Sequence, residues 1–173
     1  MSQTDSAFVE LLADTRHSAV HLELRDSYGI GEEAMEFNRW RDGWRPEPGP
    51  DTWWGDFHTW VRDATARGIA FRRARIVSEP VSPYIAYEHA CTYQNIAAGE
   101  SVRWLPRRKA SDLALPGNDF WLFDERVIIW NHFTGEGGSA GPEVDERADV
   151  AKFCGSAFES VWERATPHED FRI

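Results

Sequence analysis

Lysine is almost missing from this chain of 173 residues: Lys109 and Lys152 stand against 17 arginines. Neither follows a glycine-rich loop, so the phosphate-cradling P-loop is excluded. Cysteine is as scarce. Cys91 and Cys154 form no C-x-x-C pair, which rules out a disulfide framework and a thiolate zinc cage. The six histidines (17, 21, 58, 89, 132, 168) contain no H-E-x-x-H. His21-Leu22-Glu23 has the H-x-E of zinc deaminases but lacks their P-C-x-x-C partner. No metal and no cofactor is therefore expected. No apolar stretch approaches the ~18 residues of a membrane span, and the N-terminus lacks a basic-then-apolar signal. A soluble, reducing, cytoplasmic setting is the expectation.

What is present is ring-rich. Apolar residues make up 42% and aromatics 13%, with nine tryptophans, enough for one folded domain with a substantial core. The 29 acids and 19 bases leave a net charge of -10. Such a surface repels nucleic acid and anionic membrane, so neither autonomous DNA binding nor membrane association is expected. The charge is uneven, however. Arg62 to Lys109 holds nine basic and four acidic residues, a basic middle that could meet a small anionic ligand.

Hydrophobic periodicity organises the chain. Ser6 to Ala13 and Ala34 to Trp44 read as short helices, and Ser18 to Tyr28 as a strand alternating Val20, Leu22 and Leu24 with polar residues. The proline-rich stretch from Arg45 to Thr52 marks a hinge. The expected division is thus an N-terminal appendage (1–52) and an α+β core (53–173) forming one compact whole. In the core, a helix from Trp54 stops at Gly68, and Ile69 to Val77 is a strand. Ser82-Pro83 opens a helix running to Ala97, since the serine hydroxyl caps free N–H groups and proline at the first position wastes no donor. Ser101 to Pro106 is the next strand. Strand, helix, strand makes one βαβ unit. Phe120–Phe123 and Val127–Phe133 form a hairpin. A glycine-rich loop (135–142) follows, then an amphipathic helix whose apolar positions, Val150 to Ala165, predict burial of Phe153, Phe158, Val161 and Trp162.

Two patterns in the glycine loop carry little weight. Gly137-Gly138-Ser139-Ala140-Gly141 matches the nucleophile elbow, which needs a turn from strand directly into helix; Pro142 and further polar residues intervene. Gly135-x-Gly137-x-x-Ala140 matches a dinucleotide fingerprint, but no second strand completes the fold that fingerprint requires. Better candidates lie elsewhere. His21, Glu23, Arg25, Asp26 and Tyr28 crowd charges of both signs into one stretch, either a local ion network or the wall of a polar pocket. Trp121 and Trp130 are core residues or stacking platforms. Glu79, Arg107 and Arg108, with Ser78, should lie at the carboxyl ends of parallel strands, where ligands of open α/β sheets gather. Tyr84, Tyr87, Glu88, Arg103, Asp124 and His132 complete the ligand- or partner-binding candidates. No catalytic residue is assigned.

The phrases "HLELRDSYG", "RIVSEPVSPYIAYEH", "AGESVRWLPRR", "LPGNDFWLFD" and "FESVWERATPH" resemble an uncharacterised family of small actinobacterial proteins encoded beside helix-turn-helix regulators. That resemblance spans nearly the whole chain and implies a regulator as partner. More distantly, the order strand, helix, strand, "FWLFDERVIIWNHF", glycine loop and "AFESVWERA" is similar to a phospholipase-D-like half-domain. Catalytic members of that group need His-x-Lys-x4-Asp, where histidine attacks phosphorus and lysine steadies the phosphoryl oxygens. No histidine here has lysine two places on. The resemblance therefore implies the fold without its usual chemistry.

The fold expected is a mixed sheet with one βαβ unit and helices on its faces. The function expected is a non-enzymatic ligand- or partner-binding module associated with a regulator. An enzyme acting on a phosphate-containing substrate, or a toxin- or antitoxin-like component, are the alternatives. An enzyme should bring at least two of Tyr87, Glu88, Arg103, Asp124 and His132 together in a pocket with a perturbed acid or base; a binding module should present a groove without such pairing.

Overall fold

A computed structural model of the chain describes residues 3–28, 31–45 and 54–173, and most of the expected proline-rich hinge lies outside them. In chain order the elements are α1 (Gln3–Asp14), β1 (Ser18–Glu23), α2 (Gly31–Arg41), α3 (Asp56–Ala66), β2 (Ala70–Val77), α4 (Pro83–Cys91), α5 (Tyr93–Ala97), β3 (Ser101–Pro106), a 3-10 turn (Arg107–Ala110), β4 (Asp119–Phe123), β5 (Val127–Phe133), β6 (Ser139–Asp145), α6 (Ala148–Arg164) and β7 (Thr166–Pro167). The strands form one sheet in the order β6-β5-β4-β1-β2-β3-β7.

The chain reaches this order for local reasons. Ser82 Oγ accepts a hydrogen bond from Ile85 N (3.1 Å) with Pro83 behind it, so α4 starts as predicted. The expected single helix to Ala97 instead breaks at Thr92, whose hydroxyl bonds back to Glu88 O (2.7 Å), a local competitor of the helical ladder. β2 and β3 pair in parallel across that crossover, and β1 also pairs with β2 in parallel. There are thus two parallel crossovers where one was expected. β1 is the central strand, hydrogen-bonded to β2 and to antiparallel β4, so the stretch assigned to an N-terminal appendage is built into the middle of the sheet. Its six residues are buried or nearly so, and only a sheet partner on each side satisfies that much buried backbone.

The glycine loop also departs from expectation. Residues 139–145 are an edge strand paired with β5, with a bulge at His132/Phe133. Pro142 is tolerated because an edge strand needs no second ladder. Ser139 begins that strand, far from any strand-to-helix elbow.

Two layers of helices cover the sheet. On one face α6 packs over Val20, Leu22, Ala74, Ile76, Leu105, Phe120, Leu122 and Ile128 through Cys154, Phe158 and Val161. Trp162 is partly buried, and Phe153 is 42% exposed, contrary to its predicted burial. At about 3.6 residues per turn, Phe153 lies roughly 100° from the centre of the stripe that meets the sheet. On the other face α1 and α3 cover Ala19, Phe71, Trp121, Phe123 and Ile129. There too, Tyr84, Ile85 and Tyr87 of α4 pack with Val77, Val102 and Trp104. No helix of the described residues is long and apolar enough to cross a membrane.

Candidate functional site

The pleat decides which residues meet. Side chains two apart on a strand share a face, so His21 and Glu23 of β1 point to the same side as Arg73 and Arg75 of β2 and as Asp119 and Trp121 of β4. The pairing brings them together in rows. His21 lies opposite Arg73 and Trp121, Glu23 opposite Arg75, and Asp119 opposite Asn131. A polar stripe thus crosses an otherwise apolar sheet, beneath a cleft of about 650 Å³. One end of the cleft is walled by Phe8, Phe57, Trp60 and Trp121; Tyr28, Tyr84 and Tyr87 wall the other, with Glu36, Glu88 and Phe133.

The stripe holds a buried ion network. Arg73 bridges Glu23 and Glu100 (Nε–Oε1 2.8 Å to Glu100), while Arg75 bridges Glu23 (Nε–Oε2 2.7 Å) and Glu88. The Arg75 contacts are close without satisfying hydrogen-bond angles, so charge rather than directed bonding holds that arginine. Both guanidinium groups also lie on rings, Arg73 at 5.3 Å from Phe57 and from Trp121, and Arg75 at 5.0 Å from Trp104. Burial alone would raise the Glu23 carboxyl, but Arg75 and Arg73 outweigh it and hold it well below the usual carboxylate range.

His21 is 5% exposed and stacks on Trp121 with centroids 4.0 Å apart. Its Nε2 faces Glu23 Oε1 at 3.3 Å, and burial lowers its pKa below the ordinary value. The ring is therefore neutral with its proton on Nε2, and Nδ1 is a bare acceptor with no partner.

Asp119 is the acid that sequence reasoning missed. It is 2% exposed, accepting from Leu24 N (2.9 Å) and from the Tyr28 hydroxyl. Burial, aided by the charge of Glu23, prevails over those donors and pushes its pKa up to about 6. The folded chain thus holds this proton more tightly than the unfolded one. The stabilisation is complete below the unfolded value near 4 and is lost as pH rises through about 6. We expect Asp119→Asn to remove that slope. Between pH 4.5 and 7 the wild type should lose about 2 kcal/mol relative to the variant in urea denaturation, at 1.36 kcal/mol per pKa unit. Parallel curves would show that Asp119 stays ionised.

The remaining candidates divide cleanly. His21, Glu23, Tyr28, Tyr84, Tyr87 and Glu88 line the cleft. Arg25 lies over the Phe133 ring at 4.9 Å. Asp26 accepts from Ser78 N (2.7 Å) and pairs with Arg107 (3.1 Å). Arg107 also donates to Ser78 Oγ, Leu24 O and Ile76 O. It is a staple across the carboxyl ends of β1 and β2, where an anion site was expected, with Nε and one terminal nitrogen engaged inside the chain. Arg108 pairs with Glu79 (2.9 Å) at the surface. Arg103 donates to Trp162 O (2.9 Å) on the α6 face. Asp124 sits in the β4–β5 turn with φ 49° and accepts from Arg16, His17 and Ser18 N–H groups at 2.7–2.9 Å. It anchors the start of β1, away from the cleft. His132 pairs with Glu143 (3.0 Å) and lies between Asn131 and Phe133, so the pleat turns it from the face those two share. Trp130 donates to Asp145 (3.3 Å) and packs against the α6 core. Among the described residues, no group of three or more His, Cys, Asp or Glu side chains could hold a metal ion.

Tyr87 and Glu88 therefore converge in one concave site with the perturbed Asp119, the arrangement set out for an enzyme. Glu88, however, is neutralised by Arg75.

A family model described as a domain of unknown function, DUF6879, matches residues 6–173. No curated protein matches the chain. Among solved structures, the chain is similar to Nuc, a phospholipase D family member from Salmonella typhimurium, with a TM-score of 0.53 and 10% identity over 98% of this chain and 91% of that one. It is also similar to NucT from Helicobacter pylori, with a TM-score of 0.55 and 12% identity over 95% and 92%. The fold is phospholipase-D-like.

Proposed function

For a member of the DUF6879 family, to which this chain belongs, we propose a non-enzymatic ligand-binding role, with the cleft above the polar stripe as the binding site and a helix-turn-helix regulator encoded nearby as the partner that reads its occupancy. One observation carries this reading. The guanidinium groups in the cleft wall, Arg73 and Arg75, are each locked between two glutamates, so neither is free to clamp a phosphoryl group. The motif spacing agrees. Counting back from Asp124 by His-x-Lys-x4-Asp puts Asp119 at the lysine position and Gly117 at the histidine position. In that register an acid would take the place of the motif's cation and a glycine that of its nucleophile. The cleft volume falls within the range of about 300–1,000 Å³ usual for small organic ligands, and its walls combine rings with a few polar groups, as such sites do.

A second reading has its own support. His21 and Asp119 line one cleft, with His21 Nε2 turned to the Glu23 carboxylate and the Asp119 pKa raised to about 6, a base and an acid in one site. An enzyme acting on a phosphate-containing substrate would use that pair, as the fold of its structural neighbours suggests. The test is hydrolysis of bis-p-nitrophenyl phosphate alongside a fragment screen by NMR. The binding reading expects no turnover, and fragments that shift the cleft's tryptophan indole signals. Turnover lost in His21→Ala but kept in His132→Ala would overturn it.

A further inference from the structure

We infer that the cleft selects an organic cation: a ligand with an amine or guanidinium head on an apolar or aromatic body. This deepens the binding reading and rests on it. The first ground is charge. Glu23, Glu36, Glu88 and Asp119 line the cleft against only Arg73 and Arg75, and Glu100, with its side chain fully buried, faces Arg73 from within. Three glutamates share two arginines, so the network carries a surplus negative charge before Asp119 and Glu36 are counted. Arg25 offsets part of it.

The second ground is independent of charge and concerns hydrogen-bond direction. The Asp119 carboxylate already takes protons from Leu24 N–H and the Tyr28 hydroxyl, and Glu36 takes one from the Tyr87 hydroxyl (3.4 Å). The tyrosines spend their donors on these carboxylates. Carboxylate oxygens each accept more than one hydrogen bond, and the group that satisfies several of them at once is a cationic N–H cluster.

The third ground is shape. The opposite end is walled by Phe8, Phe57, Trp60 and Trp121, rings that take an apolar body and whose faces attract a cation. An anion would meet a net negative field and two guanidinium groups each already paired with two glutamates, despite the phosphoester association of the fold.

Four probes with one phenethyl or phenylpropyl body separate the possibilities in isothermal titration calorimetry on the full chain: phenethylguanidinium, 2-phenylethanol, 3-phenylpropionate and phenethyl phosphate. The guanidinium should bind at least about tenfold more tightly than the alcohol, and neither anion should exceed the alcohol. Asp119→Asn should lower guanidinium affinity about tenfold and leave alcohol affinity unchanged. Where that variant fails to fold, Glu36→Gln on the outer helix α2 should act in the same direction. Tighter binding of the phosphate overturns the inference. Equal affinities for all four, abolished by Trp60→Ala, overturn the charge selectivity while leaving the cleft a ligand site. No heat from any probe, together with no fragment-induced shift of the tryptophan signals, overturns both readings.

Discussion

Arg73→Met should destabilise the protein by about 3–5 kcal/mol, the range for removing one partner of a buried ion pair, whereas Glu23→Gln should cost less than half as much. The asymmetry comes from charge. Glu23, Glu88 and Glu100 balance Arg73 and Arg75 with one negative charge to spare. Losing Glu23 leaves two matched pairs, Arg73 with Glu100 and Arg75 with Glu88. Losing Arg73 leaves three carboxylates to one guanidinium, and Glu100, whose side chain is fully buried, is left with the neutral amide of Asn95 (2.6 Å) as its side-chain hydrogen-bond donor among the described residues. Methionine keeps the aliphatic stem and removes the guanidinium together with its contacts to Phe57 and Trp121, so the measured loss reports the charged group. Urea midpoints of the two variants check the order. Equal losses, or a larger loss for Glu23→Gln, would show that the network is governed by hydrogen-bond count.

The second large effect lies on the opposite face. Phe158 has no exposed surface, stacks against Trp162 with centroids 5.6 Å apart and lies under the Arg72 guanidinium at 5.0 Å. Phe158→Ala removes a ring from the centre of the α6–sheet contact, and large core truncations of this kind cost about 3–5 kcal/mol. Trp162→Ala should cost less, because the ring is only partly buried and Arg103 and Arg72 cover it at 4.4 and 5.3 Å. Phe153→Ala, on the exposed edge of the same helix, should leave the melting temperature within about a degree. A Phe153 effect as large as that of Phe158 would mean that α6 is rotated on the sheet.

The sequence by itself determined whatever depends on near neighbours along the chain. The Ser82-Pro83 start of α4, the β4–β5 hairpin and the buried stripe of α6 each follow from residues within one or two turns of one another. Alternation also placed Arg73 and Arg75 on one side of β2 and Arg72 on the other. Absences were equally legible, since a missing His-x-Lys pair is missing in any fold.

Only the tertiary structure decided which polar residues meet. His21 and Glu23 face Arg73 and Arg75 because β1 is inserted between β2 and β4, a pairing across about 50 residues that no local pattern encodes. Asp119 has nothing in its own segment to mark it as perturbed; its pKa rises because burial and Glu23, 96 residues away in the chain, act on it together. The same long-range pairing gave other candidates structural partners. Arg107 became a staple because β1 and β2 end beside it with unsatisfied carbonyls, and Asp124 an anchor because the chain enters β1 beside its turn. Side-chain chemistry is written residue by residue, but the dielectric and the partners that set its use are created by the sheet.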